Sequence, residues 1–281
     1  CWAMILVTGA TGNVGGSVVR QLLDAGENIR ALTRDPVAAR LPAGVDVVGG
    51  DLADPSTLAG AFDGIDRMFL FPVPATAAAV TELAVRAGVR RVAVLSSSAV
   101  TQPGDNMVSV MHRTVEDAVL RSGLDATFVR PGGFATNTLS WAPSVRAEGV
   151  VRAPYPGAAM NSIHEADIAA VATAALLDDK HAGAAYQLTG PASITQAEQV
   201  RAIAAATGRE VRFEELTPER ARAAMAQVMP AEIADLMLGY LAGSVDTVAE
   251  VLPTVEQVTG RPARTYAEWA ADHAADFTPA Q

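Results

Sequence analysis

The sequence predicts an α/β protein with a doubly wound parallel sheet, joined to a smaller and mostly helical C-terminal lobe. Short β-branched runs alternate with helical patterns through the first half of the chain, as in consecutive βαβ units. Several of those runs are continuously apolar, which is typical of strands buried on both faces of a parallel sheet. A glycine-rich turn separates the first strand from the first helix.

A series of strands is expected before the character of the sequence changes at Arg130. They lie at residues 4–8, 28–33, 45–50, 66–71, 91–96 and 126–130, with helices at about 13–25, 55–61, 75–87 and 106–122. Beyond Arg130 a loop-rich stretch precedes a helix at 164–179 and a strand at 184–191. A further helix at 195–208 starts with a capping box of Thr195 and Glu198.

The chain of 281 residues is long enough for one large α/β domain or two modest ones. We expect a Rossmann-type nucleotide-binding core at residues 4–135, to which residues 164–190 return. The segments 136–163 and 191–281 are expected to form a substrate-binding lobe, and the residues before Met4 are set aside.

The composition excludes several classes of protein. A net charge of −10 argues against a nucleic-acid partner. The most apolar late run, residues 68–80, is too short to span a membrane, and no signal peptide is visible. The single cysteine, Cys1, has no partner for an internal disulfide, so a cytoplasmic location is expected. The four histidines, at 112, 164, 181 and 273, lack metal-ligand spacing, so no metal is expected.

The glycine-rich turn "TGATGNVGG" is the first candidate site. Glycines at this place permit a tight turn and let backbone N–H groups approach a pyrophosphate at the helix N-terminus. The strand–turn–helix context disfavours the alternative, a glycine-rich turn without a ligand. The residues expected to hold the cofactor here are Gly9, Thr11, Gly12, Asn13, Val14 and Gly15.

The motifs "TGATGNVG", "TRDP" and "GDLAD" together resemble the short-chain dehydrogenase/reductase superfamily, and within it the atypical NmrA-like branch. That branch includes NAD(P)H:quinone oxidoreductases and triphenylmethane reductases. The resemblance continues through "VRPGGFATN", "HEADIAAVA", "YQLTGP" and "TGRPARTYAEW", over nearly the full length. The nucleotide motifs are specific to the branch, whereas the C-terminal ones are only suggestive.

Arg34 follows the second strand, where an arginine suits a ribose 2′-phosphate through charge-assisted hydrogen bonds. The resemblance implies the same role, so NADP(H) is favoured over NAD(H). A solvated surface charge is the alternative for Arg34. Asp35 is expected to point elsewhere and to cap the turn before Pro36.

The resemblance also implies contacts to the rest of the cofactor. Asp51 would face the adenine amino group and Leu52 would lie against the ring, while Asp54 is expected to cap a helix before Pro55. Simple core and loop packing is the alternative for the segment after strand four. Residues implied to line the nicotinamide ribose are Phe71, Pro72 and Val73.

In typical members of the superfamily, strand five ends in a serine and the next helix carries Tyr-x-x-x-Lys. Here the serine position is filled by Ser96 or Ser97, with Ser97 the catalytic candidate and Ser96 a cofactor contact. His112 stands in place of the tyrosine and Glu116 in place of the lysine. Glu116 cannot supply the positive charge of the lysine, so the usual activation of a tyrosine is missing together with the tyrosine.

His112 and Glu116 lie one helical turn apart and would point the same way. His112 can donate a proton, because the ordinary pKa of histidine lies near neutrality. Glu116 could hold the imidazole in one tautomer or raise its pKa. The alternative, which is slightly favoured, is that both residues only contact the nicotinamide ribose or flank the pocket.

The segment after strand six is implied to wrap the nicotinamide. Its expected cofactor contacts are Pro131, Gly132, Gly133 and Phe134. Asn137 and Trp141 are candidate substrate contacts, although Trp141 can equally anchor the lobe. Met225 and Met229 suit an adaptable apolar pocket, but ordinary helix packing or a dimer face describes their spacing better.

These observations leave three functions open. The first is an NADPH-dependent reductase of a quinone or a polycyclic aromatic or polyketide-type acceptor, since such acceptors spread the incoming charge themselves. The second is a non-catalytic NADP(H)-sensing regulator of the NmrA type. The third is an atypical ketoreductase of secondary metabolism. The expected partner is a small aromatic or quinone molecule, and the choice between monomer and homodimer is open.

Overall fold

The computed structural model describes residues 4–279, so Cys1 and its two neighbours, set aside above, lie outside the described residues. The strands are β1 Met4–Val7, β2 Asn28–Thr33, β3 Asp46–Gly49, β4 Ile65–Leu70, β5 Arg91–Leu95, β6 Asp125–Pro131, β7 Val150–Ala153, β8 Ala159–Met160, β9 Ala185–Leu188, β10 Ile194–Thr195 and β11 Arg212–Glu215. The α-helices are α1 Asn13–Asp24, α2 Ala77–Ala87, α3 Met107–Ser122, α4 Ala142–Glu148, α5 Glu165–Leu177, α6 Gln196–Thr207, α7 Pro218–Met225, α8 Ala231–Gly243, α9 Thr254–Thr259 and α10 Tyr266–Asp272.

The main sheet has seven strands in the order β3-β2-β1-β4-β5-β6-β9. Every neighbouring pair is parallel, with Val7 opposite Phe69 where β1 meets β4. The strand order reverses direction between β1 and β4, and ligands of open α/β sheets bind beyond the carboxyl ends of the strands at such a point. This sheet confirms the predicted fold class.

The chain divides into two compact units. The first comprises the residues up to Gly132 together with Glu165–Leu188 and Thr254–Arg261. It contains the sheet, whose central strands are buried because their apolar side chains are covered on both faces: α1 and α5 pack together, and α2 packs against α3. Thr254–Arg261, expected in the substrate lobe, belongs to this unit because α9 packs on α5 and β9.

The second unit comprises Gly133–His164, Thr189–Pro253 and the residues from Pro262 onward. It has two small sheets, β8 with β10 antiparallel and β7 with β11 parallel. Its core is centred on the fully buried Trp269 and Phe277. The expected capping box of Thr195 and Glu198 begins α6, as predicted.

One predicted helix differs in kind. The segment after Asp54 forms a short 3-10 helix, Pro55–Leu58, instead of an α-helix over residues 55–61. Asp54 caps it by accepting a hydrogen bond from the Ser56 backbone N–H, as predicted. The helix ends at Leu58 because Ala59 leaves the helical conformation, with ψ of 124°, and Gly60 then adopts a left-handed conformation, with φ of 82°.

Among the described residues, the structure contains no helix that is both long enough and apolar enough to cross a membrane. His164 is buried, and its Nε2 lies 3.2 Å from a carboxylate oxygen of Asp272. Asp167 lies in the first turn of α5. Within residues 4–279 we find no group of three or more acidic, histidine or cysteine side chains arranged to hold a metal ion.

Candidate active site

The turn between β1 and α1 is built from backbone. Gly9 has φ of 60°, a conformation that favours glycine, and its carbonyl accepts from the Gly12 N–H at 3.0 Å. A Cβ on Gly15 would stand 2.1 Å from the Gly9 oxygen, so only glycine lets α1 start this close to the turn. The N-cap residue Gly12 has no side chain, so no side chain caps the first N–H groups of α1.

The side chains of this turn divide between solvent and core. Thr11 and Asn13 are exposed at the start of α1. Val14 is buried in the core, so any contact it makes to a cofactor at this place uses its backbone N–H.

Thr8 is a residue that the sequence analysis missed. Its buried hydroxyl donates to the Phe69 carbonyl at 2.9 Å and accepts from the Phe71 N–H at 2.8 Å. These two bonds join the carboxyl ends of β1 and β4 at the point where the strand order reverses. A threonine directly before the glycine turn was the signal in the sequence.

Arg34 lies just after β2 and is exposed. In the described part of the chain, its guanidinium forms no hydrogen bond or ion pair with another residue. Asp35 points away and caps the next turn, because its Oδ1 accepts from the N–H groups of Val37 and Ala38 at 3.1 and 3.0 Å. The prediction that Asp35 points elsewhere and caps the following turn is confirmed.

Asp51 and Leu52 follow β3 in a tight turn. Asp51 accepts from the Ala53 N–H at 2.9 Å, and the Leu52 carbonyl accepts from the Thr76 hydroxyl at 2.6 Å. Leu52 lines a narrow apolar crevice that has no room for a water molecule. The other residues that line it are Leu70, Phe71, Val73, Ala77, Val80 and Val115. Phe71 is 45% exposed, which is unusual for a large apolar side chain, and Pro72 and Val73 are half-buried.

A buried ionic network joins the ends of β5 and β6 to α3. The Glu116 carboxylate, only 5% exposed, accepts from the Ser96 hydroxyl at 2.5 Å. Arg130 donates to both of its oxygens, from Nε at 2.9 Å and from Nη2 at 2.6 Å. This bidentate geometry is the strongest form of an arginine–carboxylate pair. Arg130 is the second functional residue that sequence reasoning missed.

The network corrects the interpretation of Glu116. Glu116 Oε1 accepts from Ser96 and Arg130, and Oε2 accepts from Arg130, so Glu116 does not hold the His112 imidazole in one tautomer. His112 Nδ1 is buried and has no hydrogen-bond partner among the described residues. Burial lowers the pKa of His112 from its ordinary value of 6.5, and the opposing field of Glu116 does not offset this. Glu116 does act to raise the pKa of His112, as expected, but burial has the larger effect and the net shift is downward.

The two serines after β5 have different partners. Ser96 belongs to the ionic network, whereas Ser97 accepts from the Ala99 N–H at 3.2 Å. Ser97 thereby caps the 3-10 helix Ser98–Thr101. A hydroxyl in this position satisfies a helix terminus.

The remaining candidates lie after β6. Pro131 ends that strand, and the Gly132 N–H donates to the Leu188 carbonyl at 2.9 Å. Within the second unit, Gly133 and Phe134 pair with Ile163. The 3-10 helix Ala135–Trp141 then carries Asn137, which is exposed, and Trp141, which packs against the core. Met225 ends α7 and is half-buried, as is Met229 in the connection to α8.

Comparison with known proteins agrees with this architecture. The sequence profile of the NmrA-like family matches residues 3–266. The chain is 42% identical to the (4-alkanoyl-5-oxo-2,5-dihydrofuran-3-yl)methyl phosphate reductase of Streptomyces griseus, over 98% of this chain and 100% of that protein. It is 41% identical to the NAD(P)H azoreductase of Xenophilus azovorans, over 98% of this chain and 99% of that protein.

A solved structure has the same fold. The NADPH-dependent quinone oxidoreductase of Escherichia coli, in its complex with NADPH, superposes with a TM-score of 0.77 and 25% identity. The superposition covers 96% of this chain and 99% of that one. The chain therefore belongs to the NmrA-like family, the atypical branch of the short-chain dehydrogenase/reductase superfamily, and is an NAD(P)H-dependent reductase of that branch.

Proposed function

We propose that the protein transfers a hydride from NADPH to a quinone or another polycyclic aromatic or polyketide-type acceptor whose conjugated system takes up the charge. The observation that carries this proposal is the composition of the pocket wall after β5. His112 and Glu116 stand where a tyrosine and a lysine would activate an isolated ketone, and Glu116 is bound to Ser96 and Arg130.

The residues of the first unit fit the cofactor. The close approach of α1 to the glycine turn, which a Cβ on Gly15 would prevent, and the N-terminus of α1 without a side-chain cap suit a pyrophosphate. Gly9, Thr11, Gly12, Asn13 and the Val14 backbone would hold it. When bound, the dihydronicotinamide supplies the hydride.

Further residues would hold the two ends of the cofactor. Arg34 would bind the 2′-phosphate, which favours NADP(H) over NAD(H), since its guanidinium is exposed and available. Asp51 and Leu52 would contact the adenine. On the nicotinamide side the contacts would be Phe71, Pro72, Val73, Ser96, Pro131, Gly132, Gly133 and Phe134.

The lowered pKa of His112 narrows the class of acceptor. A histidine that is uncharged at neutral pH is a poor proton donor but a competent hydrogen-bonding group. An isolated ketone needs a proton as charge builds on its oxygen, whereas a conjugated acceptor spreads that charge. His112 would therefore orient the acceptor. From the second unit, Asn137, Trp141, Met225 and Met229 would contact it.

The names of the relatives support the same class. A 5-oxo-2,5-dihydrofuran bearing an alkanoyl group, an azo compound and a quinone all carry a double bond conjugated with further π-bonds or with heteroatoms. A reducible conjugated bond is the feature that these acceptors share.

The test follows NADPH absorbance with benzoquinones, naphthoquinones, anthraquinones, azo dyes and isolated polyketide-type ketones, with NADH as the cofactor control. We expect saturable consumption with a conjugated acceptor, retained to within a few fold in His112→Phe. A preference for isolated ketones, lost on the order of a hundredfold in His112→Phe, would instead establish a ketoreductase that uses histidine as its acid. Tight NADPH binding without turnover across the panel would support the sensing regulator.

A further inference from the structure

The network of Ser96, Glu116 and Arg130 contains an ion pair, Glu116 with Arg130, in which the proposed function gives the arginine no role. Its two charges are largely removed from water, with 6% of the Glu116 side chain and 21% of the Arg130 side chain exposed. A buried carboxylate without a partner is strongly disfavoured, and a buried pair often stabilises a fold no better than apolar residues do. Stability alone therefore does not explain an ion pair at this place.

The geometry of the network relates it to His112. Glu116 lies one helical turn after His112 on α3, and it is the charged side chain of the described residues whose field acts on that imidazole. Arg130 reaches Glu116 from the next-to-last residue of β6, directly before Pro131. The hydroxyl of Ser96 fills the remaining acceptor position on Glu116 Oε1.

We infer that Arg130 is a positioning residue: it neutralises and clamps Glu116, so that His112 meets the acceptor as an uncharged imidazole with an unpaired Nδ1. This inference rests on the proposed function, in which His112 contacts the acceptor. Arg130 acts through Glu116 and has no contact of its own with the reacting atoms.

Electrostatics explains why the arginine is needed. A carboxylate left without a counter-ion one turn from an imidazole favours the protonated imidazole. An imidazolium has two N–H donors and no acceptor, so Nδ1 would lose its capacity to accept a hydrogen bond. The other charged side chains on α3 and on the elements packed against it have no part in the shift at His112. They are Arg113, Asp117 and Arg121 on α3, Glu82 and Arg86 on α2, and Asp125 on β6.

The test measures the titration of His112 by nitrogen-15 NMR of the histidine rings, in protein without cofactor or acceptor. The His112 signal among the four histidines is assigned by its loss in His112→Gln. In Arg130→Gln the midpoint should rise by about one pH unit or more, because Glu116 is no longer neutralised. In Glu116→Gln it should fall, and the double variant should return towards the wild-type midpoint.

The matched control is Arg113→Gln. Arg113 is adjacent to His112 in the sequence and bonds to Asp105 and Ser109, so its removal changes the same charge without touching Glu116. In Arg113→Gln the titration midpoint of His112 should stay within a few tenths of a pH unit of the wild-type value. If Arg130 served only packing, the titration midpoint of His112 would not shift in opposite directions in Arg130→Gln and Glu116→Gln.

An unchanged midpoint in Arg130→Gln overturns the inference. If that variant does not fold, Arg130→Lys replaces it: a retained charge should keep the wild-type midpoint, and a rise of one pH unit in Arg130→Lys overturns the electrostatic role. Because this titration needs no turnover, failure of the inference is distinct from failure of the proposed function, which is measured by NADPH oxidation alone.

Discussion

The turn after β1 and the pocket wall formed by β5, α3 and β6 lie at the same edge of the sheet but are stabilised by different means. The turn uses backbone alone: Gly9 folds back on Gly12, and Gly15 leaves room for that contact. The wall uses side chains from three separate elements, with Ser96, Glu116 and Arg130 in one buried network. The first arrangement tolerates almost no added atom, whereas the second depends on the balance of two charges.

The largest effect is expected at Gly15. Gly15→Ala places a methyl group 2.1 Å from the Gly9 oxygen, and both atoms belong to rigid segments. We expect a loss of stability of about 1–3 kcal/mol or more and a loss of NADPH affinity of at least about tenfold, measured by urea unfolding and by fluorescence titration.

Gly16→Ala is the matched control for that change. Its added Cβ would lie 3.4 Å from the nearest atom, the Ala10 oxygen, and alanine favours the helix over glycine. Equal NADPH affinity in the two variants would show that the close approach at Gly15 has no role in the cofactor site.

The two regions also differ in how far the sequence reveals them. The glycine turn is continuous in the chain, so neighbouring letters were enough to place it between β1 and α1. The network joins residues 20 and 14 positions apart, and its members are ordinary polar residues when considered singly. Helical periodicity placed His112 and Glu116 on one face, but it could not show that β6 brings a guanidinium to the same carboxylate.

The sequence likewise predicted the strands of the main sheet in order, but it predicted neither the four strands of the two small sheets nor every domain boundary. Thr254–Arg261 joins the first unit because α9 packs on α5 and β9, a contact between segments far apart in the chain. Asp35 and Asp54 were predicted well, because each caps backbone N–H groups within three residues of itself. Local hydrogen bonds follow from local sequence, whereas long-range ones do not.

The next largest effect separates the two serines of the pocket wall. Ser96→Ala removes a hydrogen bond to a buried carboxylate and should cost about 1.5–3 kcal/mol in the free energy of unfolding. Ser97→Ala removes only the cap of a short 3-10 helix and should cost about 1 kcal/mol or less. Denaturant unfolding of the two variants measures the difference, and an equal or larger cost for Ser97→Ala would contradict the importance given to the network.

A smaller effect is expected where the cofactor is recognised by a side chain instead of backbone. Arg34→Gln should weaken NADPH binding by about one to two orders of magnitude and leave NADH binding nearly unchanged, since the lost bonds go to the 2′-phosphate. Arg40→Gln makes the same change of charge at another exposed arginine and serves as the control. Parallel losses for NADPH and NADH in Arg34→Gln would mean that Arg34 contributes only general attraction.

The smallest effect concerns the charge balance itself and is read from the pH dependence of stability. Burial lowers the pKa of His112 in the folded chain below its ordinary value of 6.5. The unfolded chain therefore binds a proton at a pH where the folded chain does not, and stability falls as the pH drops below about 6.5 towards the folded pKa. His112→Gln should reduce this slope by at most about 1.4 kcal/mol per pH unit, the value for one proton.

His181 has a lowered pKa for the same main reason, burial, so part of the slope will remain in the variant. Unfolding free energies of both proteins between pH 8 and pH 5 measure the difference. A steeper slope in His112→Gln would mean that the folded chain stabilises His112 in its charged form. That result would contradict the neutral imidazole assigned to the pocket wall.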